Sequence, residues 1–170
     1  QVAPSVRFTF SEEFGEKPGT FWEGKLVAAL RELGADKVFD TTLAADLTIM
    51  EEATELIQRI RNKNNLPLLT SCCPSWVLFV EKYFPEFIPN LSTCKSPQQM
   101  LGALVKTFWA KKEKIDPAQI VSVSIMPCTS KKFEADRREM RSSKHKDVDL
   151  VLTVQELARF LRKKKIDPSK

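Results

Sequence analysis

Three of the four cysteines in this chain of 170 residues lie in two short motifs whose residue types suit a metal or thiol site. Residues 70–76 have the sequence TSCCPSW, and residues 126–132 have the sequence MPCTSKK. Each motif follows an apolar run with strand character and precedes a helical pattern. Each therefore predicts a strand-to-helix corner at which backbone N–H groups are free. Such corners favour thiolates, which bind soft iron or an iron-sulfur cluster.

The adjacent cysteines of the first motif are expected to differ in role. Pro74 suits the first position of a helix, which puts Cys73 near the N-cap. The side chains of neighbouring residues point in different directions, so we do not expect Cys72 and Cys73 to bind one metal together. Cys128 stands in a similar place in the second motif. The alternative for each cysteine is a small buried core residue, and adjacent thiols fit poorly with a redox enzyme, whose pair is usually spaced by two residues.

The elements around these motifs predict the fold class. Strand-like and helix-like segments alternate, which is typical of an α/β fold with a mainly parallel sheet flanked by helices, here in one domain over residues 1–170. Ligands of such sheets bind beyond the carboxyl ends of the strands, where both motifs are expected. Strands are predicted at residues 6–10, 37–39, 66–70, 120–125 and 148–152, and helices at 21–33, 45–62, from 96 onwards, 132–140 and 153–165.

Two of the predicted helices have clear apolar stripes. In the segment 45–62, one face carries apolar residues and the opposite face polar ones; the apolar residues are Ile49, Ala53, Leu56, Ile57 and Ile60. Ser96 can cap the next helix, and the sequence at 96–99 fits a capping box closed by a glutamine. A buried stripe is expected to follow, made of Met100, Leu101, Leu104, Val105, Phe108 and Trp109.

Composition and charge exclude several classes of protein. The net charge of +5 is modest, and the basic clusters are expected to be solvated helix faces, or else a docking surface for an acidic protein or cofactor. No motif accompanies them that would indicate nucleic-acid binding. No apolar run approaches the roughly 20 residues of a membrane span, and the first residues lack the features of a signal peptide. We expect a soluble cytoplasmic protein with reduced thiols.

The two cysteine motifs resemble the first two cluster-binding signatures of [FeFe] hydrogenases, in the catalytic domain that holds the H-cluster. Other segments resemble that family in matching order, so the resemblance covers nearly the whole chain. These segments are PSVR at 4–7, EEFG at 12–15, VFDT at 38–41, ADLTIMEE at 45–52, KSPQ at 95–98 and FEADR at 133–137.

The resemblance implies reversible reduction of two protons to dihydrogen, at a [4Fe-4S] cluster with an attached two-iron subcluster. Cys73 and Cys128 match two of the four thiolates that hold the [4Fe-4S] cluster. Cys72 matches the thiol that exchanges protons with the bridgehead amine of the subcluster. Lys131 matches the lysine that contacts a cyanide ligand, which suits an ammonium donor. Other pocket-lining positions are matched by Pro4, Ser5, Gln98, Met126 and Pro127.

The same resemblance implies proton-transfer partners for Cys72, namely Glu52, Glu55 and Ser92. The two glutamates are three residues apart and share one face of a helix. Without the resemblance, both would ordinarily be solvated charges. Three other residues are expected to have ordinary roles: Glu134 as a first-turn acid favoured by the helix dipole, Cys94 as a core or loop thiol, and His145 as an exposed side chain.

The sequence departs from the family pattern in two ways. Ser75 stands where the family usually has glycine. The chain also ends at Lys170, without the family's second half, its remaining signature and its other two cluster cysteines. We therefore expect residues 1–170 to form the first lobe of a two-lobed domain. A complementary lobe, a separate chain or a second copy would complete the H-cluster and cover apolar surface, and a ferredoxin-like protein would supply electrons.

The sequence leaves one functional alternative open. A hydrogenase-like protein could bind a partner or a simpler iron-sulfur centre without hydrogen chemistry. The absence of half of the cluster ligands favours that alternative. The presence of Cys72, Glu52, Glu55 and Lys131 argues against it, because a mere cluster carrier needs neither a proton relay nor a cyanide contact.

Overall fold

The computed structural model describes residues 1–170 and shows a small parallel sheet among eight α-helices. No helix has the length and apolar character needed to cross a membrane. The helices are α1 (Val6–Glu12), α2 (Glu23–Glu32), α3 (Thr42–Asn62), α4 (Pro74–Tyr83), α5 (Pro97–Leu104), α6 (Ala110–Glu113), α7 (Ser130–Asp136) and α8 (Val154–Lys164), and the strands are β1 (Val123–Ile125) and β2 (Leu150–Leu152).

The sheet extends beyond its two strands through single bridges. β1 and β2 pair in parallel, with Ser124 opposite Val151. Val2 forms parallel bridges both with Asp40 and with Ile125, so four extended segments lie side by side. All four run in the same direction, which confirms the predicted parallel α/β fold. Their carboxyl ends therefore share one edge of the sheet.

The main core lies where α1, α2 and α8 pack against the sheet. Phe10 is fully buried, as are Leu157 and Leu161 of α8 and Leu26 of α2. Burial of each such side chain stabilises the fold by about 1.5–3 kcal/mol. Thr153 begins α8 with a complete capping box, which sets the direction of this helix directly after β2.

The predicted strand at residues 6–10 is wrong, because these residues form most of α1. The alternation of β-branched and aromatic residues suggested a strand. Val6 and Phe10 are also four residues apart, and both are fully buried on the same face of the helix. The i,i+4 spacing satisfies the core as well as alternation would have done.

The other predicted strands are shorter than expected. The segment 37–39 has no regular strand, and its neighbour Asp40 forms only a bridge. The segment 66–70 likewise contributes a single bridge, from Leu69 to Leu91. Of the two later strands, only residues 123–125 and 150–152 are paired. Short parallel segments suffice here because helices cover the sheet and supply most of the buried apolar surface.

The apolar stripe of α3 is largely exposed, and part of the predicted buried stripe of the next helix is exposed too. Ile49, Ile57 and Ile60 are at least half exposed, while the fully buried positions of the helix include Ala44. In the next helical segment, Phe108 is 69% exposed. The capping box predicted at residues 96–99 is only half formed. The Ser96 hydroxyl accepts the N–H of Gln99, but the side-chain amide of Gln99 is buried without a partner.

Candidate functional site

The first cysteine motif folds into the predicted corner. Cys73 is the N-cap residue of α4, with extended backbone, and Pro74 occupies the first helical position. Cys128 lies between β1 and α7, two residues before the first residue of that helix. Cys72, Cys73 and Cys128 are all exposed and carry free thiols. The three cysteines are therefore accessible at helix-leading corners.

The two cysteine motifs lie next to each other in the fold. The hydroxyls of Ser75 and Ser130 share a hydrogen bond between the first turns of α4 and α7. The ammonium of Lys131 donates a hydrogen bond to the main-chain oxygen of Cys72, with an Nζ–O distance of 2.7 Å. Two segments that are more than fifty residues apart in sequence thus form one site. Ser75, the departure from the family's usual glycine, contributes a contact between the motifs.

A buried network of hydrogen bonds holds Lys131 in place. The ammonium of Lys131 lies 3.1 Å from Oε2 of Glu134, which also accepts a hydrogen bond from the Gln98 amide at 3.1 Å. The Gln98 amide donates to the Lys131 carbonyl as well, and its oxygen accepts the hydroxyl of Ser124 in β1 at 2.9 Å. Glu134 is therefore not the predicted first-turn acid. It is the fifth residue of α7 and is only 4% exposed.

A second parallel contact joins the Cys72 corner to the predicted proton-transfer residues. Leu69 bridges to Leu91, and the Ser71 hydroxyl donates to the carbonyl of Cys94 at 2.8 Å. Two residues before Cys94, the buried hydroxyl of Ser92 donates to Oε2 of Glu55 at 3.0 Å. The structure thus brings Glu55 and Ser92 into direct contact, close in sequence to residues that pack on the first motif.

Arg59 is a site residue that the sequence analysis missed. It is 7% exposed and donates two hydrogen bonds to Oε1 of Glu55, the shorter of them 2.6 Å. Its other donors are satisfied by main-chain oxygens, including that of Leu91 at 2.7 Å. The i,i+4 spacing of Glu55 and Arg59 on α3 was the available signal. Its burial depends on packing against the segment 89–91, which the spacing does not reveal.

The environment of Glu55 favours its charged form. Burial alone would raise the pKa of the Glu55 carboxyl, but hydrogen bonds from Arg59, Ser92 and the Thr93 amide outweigh it. The pKa of Glu55 therefore lies below its ordinary value. Glu52, one turn earlier on α3, differs because its Oε1 is buried without a hydrogen-bond partner. The two glutamates share a helix face as predicted, but only Glu55 is held by hydrogen bonds from Arg59 and Ser92.

Cys94 lines a polar pocket of about 420 Å3 beside this cluster, together with Glu51, Glu55 and Arg59. The thiol is half-buried. Burial, reinforced by the negative charges of the nearby glutamates of α3, raises the pKa of the Cys94 thiol. Cys94 thus differs from the other three cysteines in exposure.

The remaining predicted pocket residues lie at the carboxyl edge of the sheet. Pro4 and Ser5 are exposed and follow the extended segment that contains Val2. Met126 follows β1 and is 4% exposed, while Pro127 next to it is exposed. Both pairs thus lead away from neighbouring extended segments, as ligand-binding loops of parallel sheets do.

The donor chemistry of the site fits part of an iron-sulfur centre. Cys73 and Cys128 present two exposed soft donors at adjoining corners, which suits iron. No group of three or more histidine, cysteine or acidic side chains in residues 1–170 is arranged to hold a metal ion. The two thiols thus match half of a four-thiolate set.

The sequence of the chain is similar to those of known proteins. The sequence model described as "Iron only hydrogenase large subunit, C-terminal domain" matches residues 1–170. Iron hydrogenase 1 of Clostridium pasteurianum is 50% identical over 165 residues, which is 97% of this chain and 29% of that protein. Cytosolic iron-sulfur assembly component 3 of Pongo abelii is 38% identical over 167 residues, which is 94% of this chain and 35% of that protein.

The fold of the chain is also similar to that of a solved structure. A variant of apo [FeFe]-hydrogenase HydA1 from Chlamydomonas reinhardtii superposes with a TM-score of 0.91 and 44% identity, covering 100% of this chain and 43% of that one. The chain thus spans less than half of the length of each protein that it is compared with here. Its sequence and its fold lead to one conclusion: the chain belongs to the family of the C-terminal domain of iron-only hydrogenase large subunits.

Proposed function

We propose that this chain is the first lobe of the catalytic domain of an [FeFe] hydrogenase, which reversibly reduces two protons to dihydrogen once a complementary lobe is present. The observation that carries the proposal is the meeting of the two cysteine motifs through the bond from Lys131 to the Cys72 carbonyl. That contact links the motif that contains Cys72 and Cys73 to the motif that contains Cys128 and Lys131. The two proposed metal ligands, a separate exposed thiol and an ammonium group are thus brought to one edge of the sheet.

The proposed roles follow the family resemblance. Cys73 and Cys128 would supply two thiolates to a [4Fe-4S] cluster, and the complementary lobe would supply the others. The bound cluster with its two-iron subcluster would provide the redox chemistry. Lys131 would offer its ammonium to an anionic ligand of the subcluster, and Gln98 fixes the Lys131 backbone. Pro4, Ser5, Met126 and Pro127 would form the walls of the pocket.

Proton delivery is assigned to the chain's own side chains. Glu55, charged and held by Arg59, accepts the hydroxyl of Ser92. Glu52 lies on the same face of α3, its Oε1 is buried without a hydrogen-bond partner, and it would be the second carboxylate of the relay. Cys72 would be the last group of the relay, since it is exposed and stands beside a proposed ligand. The relay would thus carry protons from the polar pocket to the edge of the sheet.

Two exposed apolar surfaces support the need for a complementary lobe. Trp76, Phe79 and Tyr83 of α4 form a run of neighbouring rings with Phe84 and Phe87, and every one of these rings is more than a third exposed. The apolar stripe of α3 is exposed as well. Exposed apolar clusters mark contact surfaces, and covering them yields about 25 cal/mol per Å2. A second copy of the chain is the other proposed way of covering them.

The electron donor and the location are part of the proposal. The last turn of α8 carries Arg162, Lys163 and Lys164, which would attract an acidic ferredoxin-like donor. We place the protein in the cytoplasm. Neither assignment depends on a specific motif.

One relative favours a second candidate function, an iron-sulfur protein without hydrogen chemistry. The relative from Pongo abelii is named as a cytosolic iron-sulfur assembly component, not as a hydrogenase. A protein of that type could hold an iron-sulfur centre or a partner without hydrogen chemistry. Its function would need Cys73 and Cys128, but not Cys72 or the Glu55–Ser92 pair.

The proposal is tested by native mass spectrometry of the anaerobically prepared protein. A complex that contains a second, cysteine-bearing chain together with iron and sulfur supports the hydrogenase assignment. A bare monomer at the apo mass after anaerobic loading with iron and sulfide, in the presence of the complementary lobe, contradicts it.

A further inference from the structure

We propose that Glu134 is the positioning residue for Lys131, and that it holds the lysine ammonium against the backbone of Cys72. As far as it concerns hydrogen chemistry, this inference rests on the proposed function. The structural part stands on contacts within this chain.

The first step is the burial of the ion pair. The side chain of Glu134 is 5% exposed and that of Lys131 is 14% exposed. Removal of one member of such a pair leaves the other charge buried and uncompensated. Lys131 is the only cationic side chain that contacts the Glu134 carboxylate. The two residues therefore depend on each other.

The second step is the way in which Glu134 is itself held. Its Oε2 accepts a hydrogen bond from Gln98, which is 1% exposed. The amide oxygen of Gln98 is fixed in turn by the hydroxyl of Ser124, a fully buried residue of β1. The carboxylate is thereby anchored to the sheet and to α5. A side chain held from two elements can orient a third group.

The side chain of Lys131 adopts one of many conformations that are open to a lysine. A lysine carries a compact, strongly hydrated charge on a flexible stem, and near a surface it tends to extend towards water. Lys131 instead turns towards Cys72, with its Nζ 2.7 Å from the Cys72 oxygen. Glu134 lies three residues later on the same helix face and supplies the charge that keeps it there. Without that charge, the stem gains conformations that point into solvent.

The test uses NMR of the lysine ammonium groups in the 15N-labelled chain, because such groups give sharp signals only when hydrogen bonds slow their exchange with water. Lys131→Arg identifies the Lys131 signal by its disappearance. In Glu134→Gln, which keeps the size of the side chain but removes the charge, we expect exchange at the Lys131 ammonium to accelerate by about tenfold or more, as the loss of a charge-assisted hydrogen bond predicts.

The chain offers a matched control in a second buried ion pair. Lys106 is 1% exposed and pairs with Asp149 at 2.6 Å. Asp149→Asn should accelerate exchange with water at the Lys106 ammonium and leave exchange at Lys131 slow. Glu134→Gln should accelerate exchange at Lys131 and leave exchange at Lys106 slow. An unchanged exchange rate at Lys131 in Glu134→Gln, with a slow Lys106 signal reporting a native fold, overturns the proposal.

A second variant decides the case in which Glu134→Gln does not fold. Glu134→Asp keeps the charge but withdraws it by one methylene, so the Lys131 ammonium should exchange faster while Lys106 stays protected. Equal protection of Lys131 in Glu134→Asp and in the parent chain overturns the proposal. These measurements need neither cluster nor hydrogen, so they can fail while the proposed function stands, and the reverse also holds.

Discussion

The ammonium of Lys131 donates a hydrogen bond to the main-chain oxygen of Cys72, so the second cysteine motif holds the backbone of the first. The shared hydroxyl contact of Ser75 and Ser130 closes the same junction from the other side. Because both corners lead into helices, their positions follow from the packing of α4 against α7. The relative placement of Cys73 and Cys128 is therefore a property of the fold itself.

The cysteines of the first motif should separate ligation from proton transfer. In the chain combined with its complementary lobe and loaded with iron, Cys72→Ser should stop turnover and leave the iron content near that of the parent. Cys128→Ala should instead remove the iron-sulfur absorption. Cys94→Ala is the matched control and should change neither quantity. Equal loss of iron in Cys72→Ser, or an unchanged spectrum in Cys128→Ala, would contradict the assigned roles.

The contribution of Glu55 to stability should depend on pH. The pKa of Glu55 is lower in the folded chain than in the unfolded chain. Between these two pKa values the folded chain binds fewer protons at Glu55 than the unfolded chain does, so the free energy of unfolding rises with pH. Relative to Glu55→Gln, the parent should keep its full advantage above the ordinary carboxyl range and lose it as the pH falls through the lowered pKa.

Urea unfolding at a series of pH values measures this effect. Glu51→Gln is the control, because Glu51 is an exposed residue on the same helix. Arg59 and Ser92 donate to Glu55 and not to Glu51, so Glu51→Gln should change the free energy of unfolding less than Glu55→Gln does at neutral pH. A Glu55→Gln difference that stays constant down to strongly acidic pH would show that the hydrogen bonds to Arg59 and Ser92 do not stabilise the carboxylate.

Gly102 should be required for the packing of α5. A Cβ atom at this position would lie 2.4 Å from the carbonyl oxygen of Asp147, which is backbone and cannot move aside cheaply. Gly102→Ala should therefore lower the free energy of unfolding by about 1–3 kcal/mol. Gly24→Ala in α2, where a Cβ meets nothing within 4 Å, should instead raise it by about 0.4–1 kcal/mol. Thermal or urea unfolding measures both, and a neutral Gly102→Ala would contradict the close approach.

Cys94 should be the slowest thiol to react. Its pKa is raised by burial and by nearby carboxylates, so less thiolate is present at neutral pH than an ordinary cysteine would have. Brief treatment of the apo chain with iodoacetamide, followed by peptide mass spectrometry, should label Cys72, Cys73 and Cys128 first. Raising the pH should reduce the difference in labelling rate between Cys94 and the other three cysteines. Labelling of Cys94 at the rate of the others at neutral pH would contradict the assigned environment.

Much of the site could be predicted from local chemistry. The N-cap position of Cys73 followed from the proline after it, and the parallel arrangement followed from alternation of elements. Local patterns failed where two periodicities coincide, as at Val6 and Phe10, whose spacing fits a strand and a helix alike. The apolar stripe of α3 was found correctly, but an amphipathic pattern does not say which molecule covers that face.

The long-range contacts were beyond prediction from spacing. Nothing in the sequence around Glu134 shows that α5 and β1 would bury it beside Gln98 and Ser124. Arg59 was overlooked for the same reason, because its main-chain partners come from the turn that precedes Ser92. Both residues became visible only when separate elements were placed together. Their long-range partners are main-chain and amide groups, which carry no sequence signature.

Hydrogen evolution by the assembled lobes is the decisive measurement for the proposed hydrogenase activity. The chain is combined anaerobically with its complementary lobe, loaded with iron, sulfide and the two-iron subcluster, and supplied with a chemical reductant. We expect hydrogen production that requires both lobes and is lost in Cys72→Ser. An assembly that holds its iron-sulfur centre stably, carries the subcluster and produces no hydrogen would rule out the hydrogenase assignment and favour an iron-sulfur protein without hydrogen chemistry.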